Sequence, residues 1–244
     1  MKNLLLFVSI ISFLTACNPQ EKTADEIIHQ AIQYHGGNAY DTANIAFTFR
    51  DKEYALSHNN GEFEYKRMFE DSTGNQIVDI LNNEGFSRKI NDSTVQLQPK
   101  DSAAYANSVN SVHYFALLPY GLDNSAVLNE KLENTTIKEK EYYTVKIGFE
   151  PEGGGTDFED EFVFWFDIED FSMDYFAYSY QTEGGGIRFR EAYNPQQIAG
   201  ITFQDYNNFK ADKNADLKHL PAKFEKGELK LLSTIELKLT DKGK

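Results

Sequence analysis

The chain has 244 residues, and its 19 Phe, 14 Tyr and 1 Trp make it too aromatic for an intrinsically disordered protein. A single Cys excludes a mini-protein held together by disulfides, and a mean hydropathy of -0.54 excludes a multi-pass membrane protein. The 38 acidic and 24 basic residues give a formal net charge of -14, which repels the phosphate backbone of nucleic acids. We therefore expect a folded, acidic protein with no nucleic-acid partner.

The first 17 residues have the pattern of a bacterial lipoprotein signal. Lys2 supplies a positive charge, and the apolar run at residues 4–13 is too short to span a bilayer. Residues 14–17 (Leu-Thr-Ala-Cys) resemble the lipobox, in which an apolar residue and two small residues precede a cysteine. The resemblance implies that residues 1–16 are removed and that Cys17 carries acyl chains such as palmitate, which anchor the protein to a membrane. The alternative is an ordinary secretory signal with a chance cysteine.

A short polar tether at residues 17–23 precedes the first predicted helix. Thr23 and Glu26 have the spacing of a capping box, apolar residues follow at helical spacing, and Gly36 is suited to end the helix. The sequence predicts a helix over residues 24–35, at the start of a single domain formed by residues 24–244.

The apolar period then changes from 3.6 to 2, which predicts β-strands. Asn60-Gly61 predicts a tight hairpin turn, and further turns recur at the short intervals of an antiparallel meander. Residues 101–118 lack this period and predict a second helix. The strands are predicted near residues 43–49, 54–56, 63–69, 77–81, 86–90, 95–97, 143–149, 162–166, 175–180, 187–193, 201–206 and 235–239.

The order of these elements predicts the fold class. No β-α-β alternation is visible, which argues against a parallel α/β fold. Residues 162–166 (Phe-Val-Phe-Trp-Phe) are apolar at every position, so both faces of this strand are expected to avoid water. We predict an α+β fold that is mostly β: a curled antiparallel sheet, open as a half-barrel, with an N-terminal helix and a helical insert on its concave face.

This order, behind a lipobox, resembles the LolA/LolB-like half-barrel proteins, which carry and receive lipoproteins in the cell envelope. The resemblance lies in the helix that runs into residues 35–37 (His-Gly-Gly), the strand at 43–49, the segment 115–122 after the helical insert, and the strand 162–167, which ends in an acid. The chain is also similar to Bacteroidota lipoproteins with no established activity. The likeness implies a hydrophobic cavity for acyl chains between the sheet and its helices.

Aromatic residues on the predicted strands are the candidate lining of such a cavity, because ligand pockets are mostly apolar with a few polar groups. A filled core is the alternative, because aromatic residues favour strands in any case. The candidate ligand-binding residues are Phe47, Phe49, Phe63, Tyr65, Phe162, Phe164, Trp165 and Phe166.

No catalytic or metal-binding motif is apparent in the sequence. The acidic segment 150–161 has carboxylates that suit Ca²⁺ but lacks EF-hand spacing, so a solvated hairpin tip is expected there. The five histidines show no zinc-site spacing, and His35 is expected as a cation near a helix C-terminus. There is no nucleophile motif and no phosphate-binding glycine loop. We predict no cofactor, no metal and no enzymatic activity.

Together these observations predict a lipid-anchored protein of the cell envelope, at the outer membrane, that binds an acyl chain, a lipid or a lipoprotein. Whether the domain faces the periplasm or the outside stays open. The alternative is a structural or interaction lipoprotein with a filled core, which uses its acidic surface for partners. An enzyme is the third candidate.

Overall fold

The computed structural model describes residues 21–152 and 158–240, which are mainly antiparallel β-strands. Cys17 and the predicted signal peptide lie outside the described residues. Within the described part of the chain, no helix is long and apolar enough to cross a membrane.

Helix α1 (Ala24–His35) begins with the predicted capping box. The Glu26 amide donates to Thr23 Oγ1 (3.2 Å), and the Thr23 amide donates to Glu26 Oε2 (2.8 Å). The apolar face of the helix is buried, and a 3-10 helix at Gly37–Thr42 follows. The local sequence thus accounts for both ends of this helix.

The first sheet has seven antiparallel strands in the order β15-β1-β2-β3-β4-β5-β6. Asn60 and Gly61 both have positive φ (49° and 99°), as a two-residue hairpin turn requires, so the predicted turn is confirmed. The strands are β1 (Asn44–Phe49), β2 (Lys52–Asn59), β3 (Glu62–Glu70), β4 (Gln76–Asn82), β5 (Gly85–Ile90), β6 (Ser93–Val95) and β15 (Leu237–Thr240).

Helix α2 (Pro99–Leu117) connects the first sheet to the second and confirms the predicted helical insert. The second sheet is antiparallel in the order β14-β13-β12-β11-β10-β9-β7, and β8 pairs with β9. Its strands are β7 (Val127–Lys131), β8 (Thr135–Ile137), β9 (Lys140–Phe149), β10 (Glu161–Asp167), β11 (Met173–Tyr180), β12 (Gly186–Ile198), β13 (Ile201–Ala211) and β14 (Lys230–Ile235).

Among the strands and α-helices, β7, β8, helix α3 (Leu220–Glu225) and β14, except for its last residue, were not predicted. No side chain of β7 is buried, so its sequence lacks the apolar alternation that marks a strand. Only its pairing with β9 identifies it. Helix α3 is too short to display a helical period, and its contacts with the outer face of the second sheet hold it in place.

The strand predicted at residues 235–239 is wrong as a single strand, because the chain changes sheets at Glu236. Ile235 pairs with Tyr206 in the second sheet, whereas Leu237 pairs with Phe49 in the first. The Leu237 amide donates to a buried carboxylate, Asp205 Oδ1 (2.9 Å), so the ladder bond lost at the crossing is replaced. The two sheets therefore meet here and remain open rather than closing into a barrel.

The second sheet is buried on both faces, as the apolar sequence of β10 predicted. Phe162, Phe164 and Phe166 belong to a large cluster that includes α1 and the end of α2. Trp165 points the other way, into a smaller cluster beneath α3. The alternation of side chains along a strand explains how one aromatic run serves two cores.

Both long helices pack against the same, concave face of the sheets. The large cluster joins the apolar face of α1 to side chains of both sheets and of α2. The residues of both clusters lie between Ala24 and Leu239. The chain from residue 19 onward therefore contains the contacts that hold the described fold together, and it can fold as a unit.

Candidate ligand-binding site

Helix α2 does not fill the concave side of the fold, and a groove of about 490 Å³ remains between α2 and strands β10 and β11. Phe162 and Tyr178 stack there with ring centroids 5.3 Å apart, and Phe115 of α2 lies 5.1 Å from Tyr178. We call this the aromatic groove. Its aromatic lining is formed by Tyr114, Phe115, Phe149, Phe162, Tyr178 and Tyr180.

Six polar residues share the lining of the aromatic groove: Asn107, Asn110, Ser111, Asp160, Thr182 and Arg188. Arg188 and Asp160 both line it, and Arg188 Nη2 donates to the Tyr180 hydroxyl (2.5 Å). Burial raises the pKa of Tyr114 above its usual range, and its hydroxyl has no hydrogen-bond partner among the described residues. More of the surface of the groove is apolar than polar, and small-molecule sites commonly combine apolar walls with polar groups that orient the ligand.

A second groove of about 220 Å³ lies beside the first and shares Ser111 and Phe115 with it. We call it the basic groove, because Arg50 and Arg190 line it and no Asp or Glu of the described residues does. Its other polar lining residues include Ser111, Gln204, Asn208 and Ser233.

Arg190 is the buried cation of the basic groove, with 7% of its surface exposed. Its guanidinium carbon lies 4.2 Å from the ring centroid of Phe115 and 5.2 Å from those of Phe176 and Tyr178. Nη2 donates to the Tyr178 hydroxyl (3.0 Å), whereas Nε has no hydrogen-bond partner among the described residues. Aromatic faces thus surround the charge without neutralising it.

Two of the eight candidate residues line these grooves: Phe162 the aromatic groove and Phe49 the basic groove. Phe47, Phe164 and Phe166 are at most 1% exposed and belong to the packed core.

The remaining three candidates lie away from both grooves. Tyr65 stacks on His113 with ring centroids 4.4 Å apart, and Phe63 lies beside it at 4.9 Å. Trp165 is fully buried on the opposite face of the second sheet, 5.7 Å from Phe189. Because successive side chains of a strand point to opposite faces, Trp165 faces away from Phe164 and Phe166, its neighbours in the sequence.

Phe115, Tyr178 and Arg190 were not among the candidate site residues, although Arg190 belongs to a run of charges with Arg188 and Glu191 that could form a polar lining. Tyr178 lies on β11, where aromatic residues alternate as the phenylalanines do on β10. This alternation was the signal that could have identified it. Phe115 lines both grooves, although the sequence did not show whether its segment is buried or exposed. The position of Arg190 depends on the pairing of β11 with β12, which no local pattern reveals.

The expected His35 cation is wrong. His35 is fully buried at the end of α1, where the Met173 amide donates to Nε2 (3.1 Å) and Nδ1 faces the Thr202 carbonyl (3.4 Å). Desolvation lowers the pKa of His35 to about 4, so its neutral ring connects the helix to the sheet. Burial lowers the pKa of His113 to about 4 as well.

No cluster of three or more His, Cys, Asp or Glu suited to a metal occurs within residues 21–152 and 158–240. Of the acidic segment proposed for Ca²⁺, Asp157 lies outside the described residues. At the start of β10, Glu161 forms an ion pair with Lys146 (2.8 Å). The described carboxylates of this hairpin therefore give a Ca²⁺ site no support.

Comparisons with known proteins agree with the fold. Residues 2–237 match the model of a family of unknown function, DUF6503, and the chain belongs to that family. A LolA superfamily protein from Nitrosomonas europaea is 11% identical, with 91% of this chain and 93% of that chain covered and a TM-score of 0.50. A candidate outer membrane lipoprotein-sorting protein domain from Vibrio parahaemolyticus is 9% identical, with coverage of 89% and 90% and a TM-score of 0.44. No curated protein matches the chain.

The likeness to the Nitrosomonas protein shows that the two chains share the LolA-like fold. At this identity it shows the fold alone, so the chemistry of the site has to be argued from the residues of this chain.

Proposed function

We propose that this member of the DUF6503 family is a lipid-anchored protein of the cell envelope that binds a hydrophobic ligand in the aromatic groove. The observation that carries the proposal is the groove itself, about 490 Å³ between α2 and the second sheet, with a mostly apolar surface that includes six aromatic residues. A volume of this order suits an acyl chain, and apolar lining favours its transfer from water. The proposal assigns binding and no catalysis.

The fold supports this ligand class. The Nitrosomonas protein with the same fold is a LolA superfamily protein, and we propose that the lipobox-like segment at residues 14–17 directs this chain to the cell envelope. We propose that Cys17 carries acyl chains after removal of residues 1–16, that residues 17–23 form a tether, and that residues 24–244 form one domain at the outer membrane.

The anchor is tested by metabolic labelling with an alkyne analogue of palmitate. The wild-type chain is expected to take up the label and to fractionate with membranes. Cys17→Ser is expected to lose both properties, since the lipid chemistry requires the thiol. Equal labelling of the two chains would contradict lipidation at Cys17.

The ligand is tested by native mass spectrometry of the chain from residue 19 onward, gently purified after expression in a bacterium. We expect a bound lipid of defined mass. Ala106→Trp should displace it, because Ala106 lines the groove from α2 and a large ring there fills the space. Ala104→Trp is the matched control, since Ala104 is exposed on the same helix and lies outside the groove lining.

An empty wild-type chain that stays empty after incubation with vesicles that contain both phospholipid and an unesterified fatty acid would contradict the proposal. A protein that then co-purified with it would favour the interaction lipoprotein with a filled core.

A further inference from the structure

The basic groove contains a buried charge that the described protein leaves unneutralised. Only 7% of the surface of Arg190 is exposed. Its one polar contact among the described residues is a hydrogen bond to the neutral hydroxyl of Tyr178. No ion pair joins Arg190 to a carboxylate in the described parts of the chain. Because removing a guanidinium from water is costly, a native protein usually pairs it. The missing anion is thus the unusual feature of this groove.

Two unused polar atoms point to a ligand at the same place. Within the described parts of the chain, Arg190 Nε and the side-chain oxygen of Asn208 are buried without hydrogen-bond partners, and both residues line the basic groove. They face each other across the pairing of β12 with β13. An Asn amide can be turned over so that its NH₂ faces an acceptor, so the pair can offer donors to one anionic group.

The charge of the groove gives an independent indication. The whole chain carries a formal net charge of -14, yet the described lining of the basic groove contains Arg50 and Arg190 and no acid. The aromatic groove differs, because Asp160 lines it together with Arg188. An anion is therefore attracted to the basic groove in preference to its neighbour.

The two grooves meet at Ser111 and Phe115, and the Phe115 ring lies against the Arg190 guanidinium. An acyl chain in the aromatic groove can thus place its polar end beside Arg190. We propose that the ligand is a single-chain amphiphile with an ionised carboxylate, an unesterified fatty acid, whose head is bound by Arg190. This inference rests on the proposed function, since it assumes that the aromatic groove holds the chain.

A carboxylate fits better than other anionic groups. Its two oxygens match the fork of N–H donors of a guanidinium, and its single charge balances one buried cation. The size of the aromatic groove suits one chain rather than the two of a phospholipid, because about 490 Å³ lies in the lower half of the range for small-molecule pockets.

The test compares palmitic acid with hexadecanol, which has the same chain and no charge. Each displaces Nile red, a neutral probe, from the chain from residue 19 onward at pH 8. We expect the acid to bind roughly 10- to 100-fold more tightly than the alcohol, as a hydrogen-bonded ion pair provides. Arg190→Met should remove this preference and leave binding of the alcohol intact.

The variant is expected to fold, because an apolar side chain of similar length replaces an unpaired buried charge. Fluorescence of the single Trp, Trp165, verifies this independently of binding. Arg190→Lys keeps the charge without the fork and should keep part of the preference. Lys226→Gln is the matched control, since it removes one positive charge from an exposed position after α3 and should bind as the wild type does.

The failure of this inference is distinguishable from that of the proposed function. Equal affinity of the wild type for acid and alcohol, unchanged in Arg190→Met, would overturn the carboxylate assignment while groove binding stands. Tighter binding of lysophosphatidic acid than of palmitic acid, lost in Arg190→Met, would replace the carboxylate by a phosphate. Absence of binding by Nile red, acid and alcohol would overturn the proposed function itself.

Discussion

The buried His35 should make the stability of the protein depend on pH in the range from 7 to 5. Its pKa is lowered from 6.5 to about 4 in the folded state, because burial penalises the charged ring. The unfolded chain therefore binds more protons than the folded chain in this range. The contribution is fully present above pH 6.5 and is lost as the pH falls toward 4.

The magnitude follows from the two pKa values. The whole difference corresponds to about 3 kcal/mol of unfolding free energy, of which about 2 kcal/mol is lost between pH 7 and pH 5. His113, whose pKa is also lowered to about 4, adds a loss of the same sign and similar size. The wild type should therefore lose about 4 kcal/mol from the two histidines together over this interval.

The assay is urea unfolding at pH 7, 6 and 5, followed by the fluorescence of Trp165, which is fully buried and is the only tryptophan of the chain. His35→Gln keeps an acceptor for the Met173 amide but does not titrate. Its loss between pH 7 and pH 5 should be smaller than that of the wild type by about 2 kcal/mol. His219→Gln is the control, because His219 is exposed. Equal losses in the wild type and His35→Gln would refute the reasoning.

Two further substitutions test the packing. Asp79→Asn removes a fully buried carboxylate that accepts from Arg67 (2.6 Å) and Arg88 (2.6 Å), so two nearly buried guanidinium groups lose their counter-ion. We expect the free energy of unfolding, measured in urea, to fall by about 3–5 kcal/mol. A fall below about 1 kcal/mol would contradict this account. Phe164→Ala should lower the free energy of unfolding by about 3–5 kcal/mol, because it leaves a cavity in the core. Phe162→Ala should lower it less and weaken Nile red binding more, because Phe162 lines the aromatic groove. The reverse order of the two effects would contradict the assignment of Phe162 to the groove.

The sequence predicts the elements of this fold wherever local chemistry determines them. The capping box at Thr23, the hairpin at Asn60-Gly61 and the doubly buried strand at residues 162–166 are each encoded within a few residues, and the structure confirms all three. The change of sheet at Glu236 cannot be read locally, because apolar and polar residues alternate over 235–239 as they do in a single strand. The segment is divided by its pairing with β13 on one side of Glu236 and with β1 on the other, and both strands are distant in the sequence.

The candidate site was harder to predict for the same reason. Aromatic composition indicates that an apolar space is available but not which rings face it, so Phe162 and the fully buried Phe164 look alike in the sequence. The sequence allows Arg190 to be either part of a polar lining or one of the alternating cross-strand charges of a strand, and it does not separate the two. An arginine in an alternating strand usually faces solvent, and its burial follows from the curvature that brings Phe115 over β12.

The composition of α2 indicates that the aromatic groove is encoded by the sequence and is not a packing defect. The helix fully buries Val109, His113 and Leu117, which are four residues apart and form one stripe. Next to this stripe, Ala106 and Ser111 line the grooves with short side chains. Larger apolar residues there would bury more surface, at about 25 cal/mol per Å². A helix that forgoes this stabilisation opposite a row of aromatic rings is typical of a binding site, where function opposes the closest packing.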